Sequence, residues 1–207
     1  MDRKALESVA KHYPYLHLQG LYLQGLFAIP AGLIWFLIGL SNLQRQPVKP
    51  LILGGGALVG LGAVGVVALY YRNHFGSPTP TRSRQVRQYV AIALGFAVFV
   101  GVDQLARTLL GRPPGQPVST YAASWAVGML VFYAIVGGLR AYHVVIWCSL
   151  FVAGVLPIWG LSVDRDALAS FPIGAATMAS GILDHWVLVR AFESSKRQSL
   201  EHGNVGG

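Results

Sequence analysis

FPIGAATMASGILDHWVLVRAF, residues 171–192, is long and apolar enough to cross a bilayer as a helix, and it carries an acid and an imidazole side by side near one end. Asp184 and His185 are therefore the first candidates for function. An ionisable side chain inside a membrane span is expensive to keep there and needs a partner. Asp184 is the sharper of the two, because its short side chain cannot reach back to the interface as a lysine or arginine does. Five more apolar runs precede this one, at about 18–40, 51–71, 89–110, 121–139 and 142–161. The expected fold is all-α: a bundle of six transmembrane helices forming a single domain over 1–195, with a polar tail at 196–207 expected to be disordered.

Composition agrees. Only 12% of the 207 residues are charged and 54% are hydrophobic, whereas a soluble domain carries about 25% charged residues. The mean hydropathy is +0.51. The 25 glycines fall mostly inside the apolar runs, where small residues let membrane helices approach closely. The net charge of +8 is spread over several loops with no basic-aromatic surface, so nucleic acid is not an expected partner. The expected partner of that charge is the bilayer itself, with anionic lipids at the cytoplasmic face. The lone Cys148 rules out an internal disulfide and a cysteine zinc site. No cleaved leader is expected at the N-terminus.

Residues 2–13 place Leu6, Val9, Ala10 and Tyr13 at helical spacing, which predicts a short amphipathic helix on the membrane surface. Pro30 is expected to kink the first span. The second span holds Gly54, Gly55, Gly56, Gly60, Gly62 and Gly65, and the Gly56/Gly60 pair places it in the bundle interior as a packing partner. The connector between spans two and three is basic, with Arg82, Arg84 and Arg87 expected to meet anionic head groups or a partner protein. In the third span Ala93, Ala97 and Gly101 recur every four residues as a second packing face, and Asp103 and Arg107 stand four apart as a helical ion pair. Residues 120–161 carry a single charge, Arg140, preceded by Gly137 and Gly138, which predicts a tight hairpin between two spans. Ser170 and Pro172 are expected to open the sixth span.

Counting lysine and arginine along this path puts eleven on one side and five on the other. Positive charge concentrates on the cytoplasmic side, so both termini are expected there. His143 then lies at a depth similar to that of His185. Asp184, His185 and His143 form one candidate group, with Asp103 and Arg107 toward the other face. No HxxxH or HExxH supplies preset metal spacing, and Walker, GxSxG and paired CxxC patterns are absent. No catalytic residue, metal or cofactor is therefore expected.

The segment GILDHWVLVR, residues 181–190, resembles the last helix of small multi-span bacterial inner-membrane proteins of unassigned activity. The resemblance implies an inner-membrane location and no catalytic residues. Three functional readings follow. The leading one is a non-enzymatic accessory, sensory or assembly subunit of a membrane complex, or a homo-oligomer. The second is a small transporter or channel using Asp184 and His185. The third is a membrane enzyme at the cytoplasmic leaflet, which needs Asp184, His185 and His143 to converge.

Overall fold

A computed structural model describes residues 25–43, 49–75, 82–110, 118–136, 138–159 and 165–204. The amphipathic helix expected at 2–13 and the start of the first span lie outside them. A short 3-10 turn at Gly25–Phe27 leads into six α-helices: α1 (Ala28–Leu43), α2 (Lys49–Phe75), α3 (Arg82–Leu110), α4 (Thr120–Val136), α5 (Ala141–Val155) and α6 (Arg165–Asn204). Among the described residues there is no strand. Among the described residues four segments are long and apolar enough to cross a membrane: Gly25–Leu43, Gly54–Phe75, Gln85–Leu109 and Ala167–Ala191. The other two helices, α4 with 17 residues and α5 with 15, are apolar but shorter. At about 1.5 Å per residue they rise roughly 26 and 23 Å, a little less than a hydrocarbon core of about 30 Å.

Most of the core lies along α4, which packs on α3, α5 and α6 and buries Ala122, Ala126, Met129, Phe132, Tyr133 and Val136. On the other side of α6 lies α1, and α2 is outermost, resting on α1. Trp35 of α1 reaches across to Tyr121 and Trp125 of α4, and Phe99 of α3 meets the same two rings.

Glycine decides where backbones touch. Along α1 and the turn before it, Gly25, Gly32 and Gly39 are seven residues apart; along α6 so are Ala167, Gly174 and Gly181. The two series meet antiparallel. A Cβ on Gly32 would strike the Gly174 carbonyl and Met178, one on Gly39 the Ala167 carbonyl, and one on Gly181 the Gly25 carbonyl and Ala28. Seven residues are close to two helical turns, so each series keeps to one face. Gly25 also has φ 59°, a backbone conformation that a glycine adopts without strain. Between α3 and α4 the same role falls to Gly95 and Gly128, each of which would meet the other's carbonyl through an added Cβ.

Two expected packing faces are corrected here. Ala93, Ala97 and Gly101 are exposed, and nothing lies within 4 Å of a Cβ built on Gly101. The contacting face of α3 is instead Ala91, Gly95, Phe99 and Asp103. The two stripes are two residues out of phase, about 200° around the helix. Nor is α2 in the interior. Gly56 meets Leu37 and Gly60 approaches Ile34, as a packing pair should, but Gly54, Gly55, Gly62 and Gly65 face open space. Leu58, Val59, Leu61 and Val66 are all at least two-thirds exposed. Its glycines are spread around the helix, and only one pair falls on the face that α1 covers.

The helix ends shift several boundaries. Pro30 stands in the first turn of α1, where its missing N–H leaves no bond unmade, rather than at a mid-span kink. Because α6 starts at Arg165, Pro172 lies inside it and Ser170 is not its cap. The same helix continues to Asn204, through residues expected to be a disordered tail. The hairpin before Arg140 is present: α4 ends at Val136, and Arg140 is the extended N-cap residue of α5. The last apolar stretch before the next loop ends its helix at Val155, two residues before Pro157, and Leu156 is extended as a residue before proline should be.

Candidate functional site: a carboxylate enclosed by three helices

One stripe of α6 points inward. Ile173, Thr177, Ser180, Asp184 and Leu188 are all buried, at the three- and four-residue steps that keep one face. Toward its start the stripe is apolar, and Thr177 satisfies its own hydroxyl by donating to the Ile173 carbonyl at 2.8 Å. Ser180 and Asp184 are polar, and both are met by side chains from other helices.

The first partner is α5. Tyr142 donates to Asp184 Oδ1 at 2.5 Å, and Arg140 Nη1 donates to the Tyr142 hydroxyl at 3.3 Å. His143 places Nε2 3.1 Å from the same carboxylate oxygen, without the alignment of a full hydrogen bond. The local structure fixes which nitrogen of His143 carries hydrogen. Its Nδ1 accepts the Arg140 backbone N–H at 3.1 Å, which closes the first turn of α5. A nitrogen that accepts has no hydrogen of its own, so the ring hydrogen is on Nε2, facing Asp184. The second partner is α4: the Tyr133 hydroxyl shares a 2.8 Å hydrogen bond with Ser180 Oγ, and its ring stacks on His143 with centroids 3.8 Å apart. Tyr133 and His143 are both fully buried, and Asp184 is 4% exposed.

His185 turns the other way. Adjacent helix residues point about 100° apart, and this one faces α2. Its Nδ1 is 3.2 Å from the Tyr71 hydroxyl, which also accepts the Leu26 backbone N–H at 2.9 Å. The rings of Tyr70, Tyr71 and Phe75 surround the imidazole at 5.7, 5.8 and 6.3 Å. Phe27 and Leu188 complete this cluster. Asp184 and His143 thus come together, whereas His185 belongs to a neighbouring group on another helix. Among the described residues no three His, Cys, Asp or Glu side chains could hold a metal ion.

Asp103 and Arg107 lie toward the opposite end. Arg107 Nε donates to Asp103 Oδ2 at 2.7 Å, and Thr120 Oγ1 donates to Oδ1 at 3.0 Å. The pair therefore ties the end of α3 to the start of α4. Since α3 packs mainly on α4, this carboxylate is separated from Asp184 by α4. Arg107 is partly open to its surroundings, so Arg107→Ala is expected to cost less than about 1 kcal/mol. Asp103→Ala should cost more, because it leaves two donors without their acceptor. Thermal unfolding of both variants in detergent checks this order.

At the other end of the same helix pair, Arg87 Nε donates to the Ile135 carbonyl at 2.5 Å, holding a carbonyl in the last turn of α4. Arg82 is exposed, and the side chain of Arg84 lies outside the described residues. An apolar groove of about 80 Å³ runs between α3 and α4, lined by Gly95, Phe96, Phe99, Trp125 and Gly128 among others; no residue of the Asp184 cluster lines it.

Tyr142, Tyr133, Ser180 and Tyr71 were not singled out from the sequence. A usable signal was present. Ser180 is four residues before Asp184, hence on its face, and Tyr142 adjoins the one histidine expected at matching depth. No family model, curated protein or solved structure matches the chain.

Proposed function

We propose that this helical membrane protein is a non-enzymatic sensory or accessory subunit of the cell membrane, with six spans and both termini cytoplasmic. The observation that carries this reading is the occupancy of Asp184 by the protein's own side chains. Tyr142 and His143 from α5 meet its carboxyl group, and Tyr133 of α4 bonds to Ser180 one turn away. A carboxylate held in this way acts as a polar lock between helices, and its state is coupled to how α4, α5 and α6 pack. The basic ends at Arg72, Arg82, Arg140 and Arg190 support contact with anionic lipid on the cytoplasmic side. The outermost helix α2, with open glycines along it, supports a membrane-embedded companion or a second copy. Purification of the tagged chain in mild detergent or native lipid discs tests this. A companion protein or a stable oligomer is expected, and a solitary monomer would contradict it.

A second reading, proton-coupled transport, is favoured by one observation. Two polar groups, Asp184 with Tyr142 and His143, and His185 with Tyr71, lie back to back on successive residues of one span. If that reading holds, reconstituted vesicles will show flux driven by a pH gradient, and Asp184→Asn will abolish it. Flux unchanged in that variant removes the reading.

A further inference from the structure

We propose that the outward face of α5 is a pairing surface for a second copy of this chain, with Ser149 as its polar contact at mid-span. The proposal rests on the accessory reading above, which calls for a companion or a second copy, and gives the second copy a face of its own, apart from α2. Two stripes run along α5 at the same steps of four, three and four residues. His143, Trp147, Leu150 and Gly154 are buried and face the core. Val145, Ser149, Val152 and Leu156 follow two residues later, about 200° around the helix, and all are exposed. This outward stripe lines a trough of about 440 Å³, with Cys148 and Ala153 beside it. No side chain along the trough is larger than valine before Leu156, whereas the outward faces of α2 and α3 carry Leu58, Leu61, Phe96 and Leu105. Short side chains let a neighbouring membrane helix approach closely.

Ser149 makes lipid a poor occupant of the trough. It lies eight residues after Ala141, about 12 Å along a helix of roughly 23 Å, so its exposed hydroxyl sits at mid-span. Among the described residues nothing bonds to that hydroxyl, and an acyl chain offers it neither donor nor acceptor. Within the chain its alternative is the Val145 carbonyl one turn back, a bond the structure does not make. A second copy supplies the partner. Copies share one orientation in the membrane, so the simplest closed pair has a two-fold axis along the membrane normal, and each residue near the axis meets its own counterpart. Such a surface has to complement itself, and this one does. A hydroxyl both donates and accepts, valine packs on valine, and no Asp, Glu, Lys or Arg lies between Arg140 and Asp164 to repel its own copy. Association is also one way for a helix shorter than the bilayer to be accommodated, and α5 has only 15 residues. Tyr142, seven residues before Ser149, borders the same face and donates to Asp184, so the pairing face adjoins the polar lock.

The test uses the full chain in membrane vesicles under mild oxidation. Cys148 is the single cysteine, so other positions are read one at a time in a Cys148→Ser background. A disulfide forms only where the two Cα atoms come within roughly 7 Å. Cross-linked dimer is expected to be greatest for Val145→Cys and Val152→Cys, at the centre of the stripe. It should be several-fold lower for Val144→Cys, exposed but about 100° around the helix, and for Gly62→Cys and Leu105→Cys on α2 and α3. Without cross-linking, single-molecule counting in vesicles should give a dimerisation constant about threefold weaker in Ser149→Ala, the loss of one average hydrogen bond between membrane helices. Ser149→Thr, which keeps the hydroxyl, should stay close to the native value. Equal yields at every position, a maximum at Gly62→Cys or Leu105→Cys, or a dimer indifferent to Ser149→Ala overturns the proposal. Flat yields along α5 in a chain that holds a companion or another oligomer overturn the pairing face and leave the accessory reading standing. A dimer with the expected yields that also carries pH-driven flux does the reverse.

Discussion

Gly174→Val is expected to be the most damaging single substitution in the bundle. Its new Cβ would lie against the Gly32 carbonyl and the ring of Phe36. The first of these is backbone and cannot rotate away, so α1 and α6 must separate. Overpacking typically costs about 1–3 kcal/mol, and a clash with backbone belongs at the top of that range or above it. The effect should spread, because the contacts of Gly32, Gly39 and Gly181 depend on the same helix separation. Gly62→Val is the matched control. Nothing lies within 4 Å of its added Cβ, so a change within about 0.5 kcal/mol is expected, as for other substitutions free of new contacts. Thermal or denaturant unfolding in the same detergent measures both. Equal losses at the two positions would contradict the α1–α6 contact.

The second large effect is expected at Asp184. Asp184→Ala removes the acceptor of the partly buried Tyr142 hydroxyl and the carboxyl oxygen facing the buried His143 Nε2. A buried donor left unsatisfied costs about 1–3 kcal/mol, and membrane proteins lie toward the lower part of such ranges because the unfolded helices also find partners. Asp184→Asn keeps a carbonyl for Tyr142 and should lose clearly less. Tyr142→Phe should then cost less in the Asp184→Ala background than in the native chain, since only the Arg140 contact is left for it to remove. Such non-additivity in a double-mutant cycle is the signature of a direct contact.

How far the chain could be read beforehand depended on the kind of signal. Hydropathy alone located α6, and the cost of burying a carboxylate marked Asp184 within it. Equal depth brought His143 into the same group, and the structure places it 3.1 Å from that carboxylate. The direction of His185 was missed, although the 100° step of a helix made it foreseeable that neighbours would face different helices. Azimuth was the general difficulty. A membrane helix apolar all round carries no polar face to set its phase, so the Ala93, Ala97, Gly101 stripe looked as good as the Ala91, Gly95, Phe99, Asp103 stripe that packs. Four-residue spacing drew attention to α2, where the glycines are most numerous and mostly uncovered. The seven-residue spacing shared by Gly25, Gly32 and Gly39 with Ala167, Gly174 and Gly181 was equally visible, and it was the more informative pattern because two segments carried it in matching register. Helix ends were the other weak point: α6 runs past the bilayer-length stretch in both directions, from Arg165 to Asn204, through Pro172 and through residues read as a tail.

The claim on which the account turns is that the Asp184 cluster is sealed among α4, α5 and α6. Ser180→Cys tests it most directly in a Cys148→Ser background, because Ser180 is fully buried one turn from the carboxylate and cysteine nearly matches serine in size. Ser194→Cys, exposed on the same helix, serves as the accessible reference. With a charged, membrane-impermeant thiol reagent applied to the membrane face that bears Ser194, Ser194→Cys should label and Ser180→Cys should not. Comparable labelling of the two would show water reaching the cluster, and the polar lock would give way to a transport path.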